Sequence, residues 1–451
     1  MKKAIIMVYN MTKGSPLRLI LSFALPMLIG NIFQQVYNFV DAAVVGRFVG
    51  AHSLAAVGAT GTLMSLTICL MMGLTNGAGI IISQCLGSRN YKELRRTVTG
   101  LVYIVLILSV ITSIAGMVFA RPILIFLNTP EAILDESLMY INIIFIFLTG
   151  TALYNAAGAI LRNLGDSRTP LYALILSAFV NVGLDLLFVV VFGWGVRGAA
   201  YATVISQYIS AAFCIIHIIR YREQLGLHGI SRRTSKEAIK KIFRTGLPAA
   251  LESCLITLGT MSVMRLVNSF GEMTMAGYTA ANKIDIIAIA PIISVGLSLS
   301  VYSGQNMGAD NIDRIRKGLY QTLVALVGIC VVLATIIVIF RNQLLGLFLD
   351  SEKAAEAINV GSEYLTIVCF AYIVAAVMRT YLNVLRGAGD VNTSAFSGVM
   401  ELVSRIIFAY LLVTPLGATG IWIATPLSWA VGAVVPVARY YSGKWKTKKL
   451  V

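Results

Sequence analysis

Apolar residues in this chain do not alternate with polar ones; they come in long runs separated by short polar connectors. An α-helix needs about 20 residues to cross roughly 30 Å of hydrocarbon. Runs of that length occur near 17–44, 54–82, 98–119, 133–153, 170–192, 197–219, 246–269, 275–300, 318–340, 357–383, 394–413 and 420–440. The pattern predicts an all-α integral membrane protein with twelve transmembrane helices. The longest connector divides them six and six: an N-terminal six-helix bundle over 1–220, a cytoplasmic connector over 221–245 and a C-terminal six-helix bundle over 246–451. Within the connector, Thr234-x-x-Glu237 has the form of a capping box, and Ile239, Ile242 and Phe243 face apart from Lys236, Lys240, Lys241 and Arg244. A short helix lying on the membrane surface and a solvated linker both fit that pattern.

The two halves repeat each other. Leu25-Pro26 returns as Leu247-Pro248, Gln84-x-x-Gly87 as Gln305-x-x-Gly308, and Leu161-Arg162-x-x-Gly165-Asp166 as Leu385-Arg386-x-x-Gly389-Asp390. Gly195-x-x-Gly198 with Ala202-Thr203 returns as Gly417-x-x-Gly420 with Ala424-Thr425, and these offsets all lie between 221 and 224 residues. Because each unit has an even number of spans, both halves insert the same way up, related by a pseudo-two-fold axis along the membrane normal. That arrangement implies a cleft between two bundles and alternating access by rocking of one against the other.

Composition agrees with a bilayer environment. The chain of 451 residues is 58% hydrophobic and 12% charged, with a mean hydropathy of +0.83, against about 25% charged in soluble domains. Its net charge of +16 lies in clusters between spans, not on one folded face, so nucleic acid is not expected as a partner. The N-terminus, 83–100, 162–168, 220–244, 314–317, Arg386 and 439–449 hold 27 of the 36 Lys and Arg, against five at Arg47, Arg121, Arg197, Arg341 and Lys353. The positive-inside rule therefore puts both termini in the cytoplasm, of a protein spanning the cytoplasmic membrane many times. The six Cys (69, 85, 214, 254, 330, 369) have no metal or redox spacing and read as buried apolar residues. The opening MKKAIIMVYN is too short in its apolar run for a cleaved signal; Met11 offers an alternative start.

The exceptions inside the spans carry the chemistry. They are the acids Asp41, Asp185, Glu252, Asp285 and Glu401 and the bases Arg265, Lys283, Arg379 and Arg405. Ionisable groups in hydrocarbon are costly and mark functional sites. Asn181 and Asp185, four apart in the fifth span, share one helix face, and at 1.5 Å per residue Asp185 reaches a depth similar to that of Asp41 in the first. Two carboxylates close together in a low dielectric cannot both stay ionised cheaply, so the set suits proton uptake or, with the Asn181 oxygen, a dehydrated sodium ion. Pro26 leaves the Ser22 carbonyl without its helical partner and predicts a bend, a candidate hinge. At the positions matching Asn181 and Asp185 the second half offers Glu401 and Arg405, spaced for an internal salt bridge. Lys283 and Asp285, two apart, face different ways. Glu252, about a turn into the seventh span, suits an inner ligand or, preferably, the mouth of a wet cytoplasmic cavity. Glu252, Lys283, Asp285, Glu401 and Arg405 make up a possible second-half polar site.

Nothing points to an enzyme. The three His (52, 217, 228) are scattered, and neither a Walker loop nor a nucleophile elbow is present, so no cofactor is expected beyond a coupling ion. The twelve spans in two repeats, Pro26 with Asp41, Gln84-x-x-Gly87, Gly304-Gln305-Asn306-x-Gly308-Ala309 and Leu385-Arg386-Gly387-x-Gly389-Asp390 resemble the multidrug and toxic compound extrusion (MATE) family over about Leu17 to Tyr440. The resemblance implies an antiporter that exports organic, often cationic, drugs against H⁺ or Na⁺, acting as a monomer in the lipid bilayer. It also implies a titrating site at Asp41, Asn181 and Asp185. Arg379, on the tenth span where sodium-linked members tend to carry an acid, departs from the family pattern. A rival on the same two-bundle plan is a flippase for lipid-linked oligosaccharides, which would line its cleft with Lys and Arg.

Overall fold

The computed structural model of the protein describes residues 9–127, 129–228, 234–349 and 355–451, and every regular element among them is helical. In chain order the α-helices are α1 (Pro16–Phe48), α2 (Ala51–Gly87), α3 (Tyr91–Phe126), α4 (Glu131–Ile146), α5 (Leu148–Asn163), α6 (Arg168–Asp185), α7 (Gly195–Arg220), α8 (Lys236–Asn268), α9 (Glu272–Gly308), α10 (Ile312–Gly346), α11 (Ala355–Phe370), α12 (Tyr372–Ala388), α13 (Val391–Leu416) and α14 (Ala418–Tyr441). A π-helical segment, Leu186–Val191, continues α6. Ten of these helices are long and apolar enough to cross a membrane, and the count is twelve if each bent pair, α4 with α5 and α11 with α12, is one span.

The bends, 53° and 46°, fall at Phe147 and Ala371, which the repeat offset relates. Neither carries a proline. In each the ladder tightens to an i→i−3 bond, from Gly150 N–H to the Phe147 carbonyl (3.1 Å) and from Ala371 N–H to the Val368 carbonyl (3.0 Å), as in a turn of 3₁₀-helix.

Two compact units result. Of the described residues, one comprises those within Ile29–Ala250 with Tyr9, Asn10 and Val451; the other comprises those within Met11–Leu28 and Leu251–Leu450. α1 and α8 therefore each contribute to both, and in each the change of unit falls just past the repeated proline, Pro26 or Pro248. α1 stays helical through Pro26. α8 starts at Lys236 and continues unbroken into the seventh predicted span, so residues 236–244 extend a spanning helix and are neither a separate surface helix nor a linker. Its cap is Ser235, whose Oγ accepts from Ala238 N–H (3.1 Å), while Thr234 Oγ1 donates to the Arg96 carbonyl (3.1 Å).

The repeated motifs are helix stops. Gly165 and Gly389 sit at φ +95° and +97°, a conformation that costs glycine nothing. Around each, the N–H groups of Gly and Asp return to carbonyls of the last helical turn: Gly165 to Arg162 (3.0 Å) and Asp166 to Leu161 (2.8 Å), Gly389 to Arg386 (3.0 Å) and Asp390 to Leu385 (2.9 Å). These pairs satisfy carbonyls that a helix end otherwise leaves open.

Candidate functional site

Asp41 on α1 and Asp185 on α6 come together in the first unit, each within the electrostatic reach of the other. Asp185 and Asn181 are each 0% exposed. With the Asn181 amide oriented so that both of its polar atoms are satisfied, its nitrogen donates to Asp185 Oδ2 (2.9 Å) and its oxygen accepts from Thr203 N–H on α7 (3.2 Å). Each carboxylate keeps one buried oxygen that no N–H or O–H reaches. The groups acting on either carboxylate include no Lys, Arg or His among the described residues.

Two tyrosines close the cluster. Tyr37, four residues before Asp41 on α1, lies beside Asp41 and Asp185. Tyr140 of α4, 4% exposed, faces Asp41 and Tyr37. The sequence contains a signal for Tyr37, which shares a helix face with Asp41. For Tyr140 and Thr203 it has none, because they arrive from other helices. Asp185 is also the last α-helical residue before the π-helical segment, a local widening often found at functional sites.

In the second unit the charged groups have varied partners, ionic, hydroxyl and aromatic. Arg405 Nη2 lies 2.7 Å from Glu401 Oε1, and its Nε donates to Ser428 Oγ (3.2 Å). Asp285 accepts from Tyr372 Oη (2.6 Å) and Tyr364 Oη (3.5 Å), while Lys283 lies over the Phe348 ring, 5.4 Å from its centroid. Glu252, 3% exposed, is held by Arg386 at 2.7 Å and Arg379 at 3.9 Å. The expectation of a residue at a wet cavity mouth is corrected: its carboxylate is enclosed, and Gly398, where a Cβ would come 2.9 Å from Glu252 Cγ, leaves room for it.

Interhelical hydrogen bonds shift the correspondence of the two halves by one helical turn. Ser210 Oγ donates to the Ala173 carbonyl in the first unit (3.2 Å), and Ser397 Oγ to the Gly432 carbonyl in the second (2.8 Å). Ala173 therefore matches Ser397. Arg405, bonded to Ser428, then occupies the place of Asn181 beside Ser206, and Ala409 that of Asp185. Glu401 answers to Ser177, not to Asn181.

The profile of the MatE family matches residues 26–187 and 248–411. YoeA of Bacillus subtilis, a probable multidrug resistance protein, is 29% identical over 456 residues, covering 97% of this chain and 96% of that protein. The multidrug export protein MepA of Staphylococcus saprophyticus is 23% identical, covering 92% of this chain and 91% of its own. Among solved structures, a multidrug resistance MATE family transporter in an outward-facing conformation superposes with a TM-score of 0.89 at 24% identity, covering 98% of this chain and 99% of that one; this is a likeness of fold.

Proposed function

This chain belongs to the multidrug and toxic compound extrusion (MatE) family, and from that premise we propose that it exports organic, often cationic, compounds across the cytoplasmic membrane in exchange for protons taken up at Asp41 and Asp185. The observation that carries the coupling site is a pair of adjoining carboxylates, each with a buried oxygen that receives no donor and neither with a cationic partner. Two such groups need a positive charge between them. A proton answers the need most simply, becoming the missing donor from one carboxyl to the other; a dehydrated sodium ion would use the same oxygens with Asn181.

Uptake on the outer side then replaces a doubly anionic cluster by a singly charged one. Only a difference in ion affinity between two conformations can turn this into transport. In our reading the protonated cluster draws α1 closer to α6 and α7, with Pro26 as the hinge, and the drug has already left for the outer side. The functional unit is the monomer, with both termini cytoplasmic. In Asp185→Asn the donor is permanently built in, so drug efflux from cells should fall at least tenfold and lose its dependence on pH. Wild-type efflux with an unchanged ion dependence would remove Asp185 from the mechanism.

A further inference from the structure

The second unit contains a charge imbalance that the coupling site does not use. Arg379 and Arg386 on α12 both turn to Glu252 on α8, and one carboxylate cannot neutralise two guanidinium groups. The distances show which is served: Arg386 Nη2 is 2.7 Å from Glu252 Oε2, whereas Arg379 Nη1 stands 3.9 Å from Oε1. Arg386 Nε is buried and has no hydrogen-bond partner. Arg379 is 23% exposed, and a guanidinium in the middle of a spanning helix is exposed to water, not to hydrocarbon. One N–H is thus left open beside a half-paired cation that water reaches.

Arg386 has its counterpart in Arg162, but the rest of the set is specific to this unit: in the repeat, Asn155 stands where Arg379 does and Gly30 where Glu252 does. Gly30 is filled from outside by Leu171 and Leu174, while Gly398, the counterpart of Leu174, is hollowed out to admit the glutamate. The scaffold does not require the charges of Arg379 and Glu252.

We propose that Arg379 and Arg386 form an oxyanion-binding site, with Glu252 as the fixed partner that orients them. Its ligand is the carboxylate or phosphodiester of an amphiphile, either a transported organic acid or zwitterion or an anionic lipid of the inner leaflet. Arg379 supplies the water-facing half of the clamp and Arg386 its buried half; guanidinium groups pair with carboxylate and phosphate oxygens alike. As a substrate subsite the proposal rests on the efflux reading; as a binding site it does not.

The test is binding to the purified full chain in phosphatidylcholine nanodiscs, with fluorescent 1-pyrenebutyrate and its uncharged methyl ester as probes. Wild type should bind the acid at least tenfold more tightly than the ester. Arg379→Gln should abolish that preference, and Arg379→Lys should keep most of it, which separates loss of charge from loss of fold. An acid bound no better than the ester, or bound equally well by Arg379→Gln, overturns the site. If phosphatidylglycerol in place of phosphatidylcholine weakens the Arg379-dependent binding, the native ligand is the lipid headgroup; if it does not, the ligand is a transported compound. Because binding is read without transport, its failure leaves the efflux reading standing, and failed efflux with intact binding does the reverse.

Discussion

At the scale of the residue, the two halves use one scaffold for different charge states. The Asp of each Gly-Asp turn is tied to the second helix after it, α7 or α14, but by different partners. Asp390 is bonded to Arg439 Nε at 2.6 Å. Asp166 lies 3.3 Å from His217 Nε2, accepts the Thr169 hydroxyl at 2.6 Å and takes the N–H groups of Arg168 and Thr169, each at 3.0 Å. Burial alone would push the Asp166 carboxyl up, but its hydrogen bonds to His217 and Thr169 hold it below the usual carboxylate range. A carboxyl whose folded value lies below its unfolded value, about 3.9, stabilises the fold above that pH, and the contribution is lost as pH falls through the folded value. Asp166→Asn should therefore lower the unfolding temperature of the detergent-solubilised protein at pH 7, and the difference from wild type should shrink below about pH 4. A gap that stays constant into acid would show that packing, not charge, is the cause.

Substitutions in the coupling cluster follow the same logic. Tyr140→Phe removes a hydroxyl that faces Asp41 but leaves both carboxylates and the Asn181 amide in place. We expect it to reduce efflux several-fold at most, well short of the effect of Asp185→Asn, when both are assayed for dye export at equal expression.

At the scale of the element, small residues decide how close the helices come. A Cβ at Gly73 would lie 2.2 Å from Ala250 Cα, and one at Gly77 2.4 Å from Gly246 Cα, so α2 and the first part of α8 touch backbone to backbone in the first unit. Backbone cannot step aside as a side chain can. Gly77→Val should destabilise by at least the roughly 1–3 kcal/mol of an overpacked core, seen as an earlier thermal unfolding transition; an unchanged transition would mean that α2 and α8 can separate without loss. The same scale explains the corrected correspondence of α6 and α13. Counting residues by similarity paired Asn181 with Glu401. The hydrogen bonds of Ser210 and Ser397 pair it with Arg405, and the π-helical segment after Asp185 takes up part of the difference before the next shared glycine.

At the scale of the whole molecule, proton exchange makes a prediction that no single side chain does. In proteoliposomes, an imposed pH gradient should drive export of a cationic dye with no sodium gradient present, and a sodium gradient alone should not. The reverse result would assign the site to sodium. Both readings place the ion among the same oxygens, so Asp185→Asn should abolish whichever response the wild type shows.

Membership of the membrane class, the two repeats, and the pairing of Asn181 with Asp185 were all legible in the sequence, because each depends on short-range spacing or on the length of hydrocarbon a helix must cross. The fourth and tenth apolar runs were legible as spans but not as bent pairs, since no proline marks the breaks at Phe147 and Ala371. The tertiary structure alone brought Tyr140 and Thr203 to the carboxylates, enclosed Glu252 between two arginines and set Arg405 where Asn181 would stand. The reason is physical: spacing along one helix says which side chains share a face, whereas the neighbour that face meets is chosen by packing, and hence by residues hundreds of positions away.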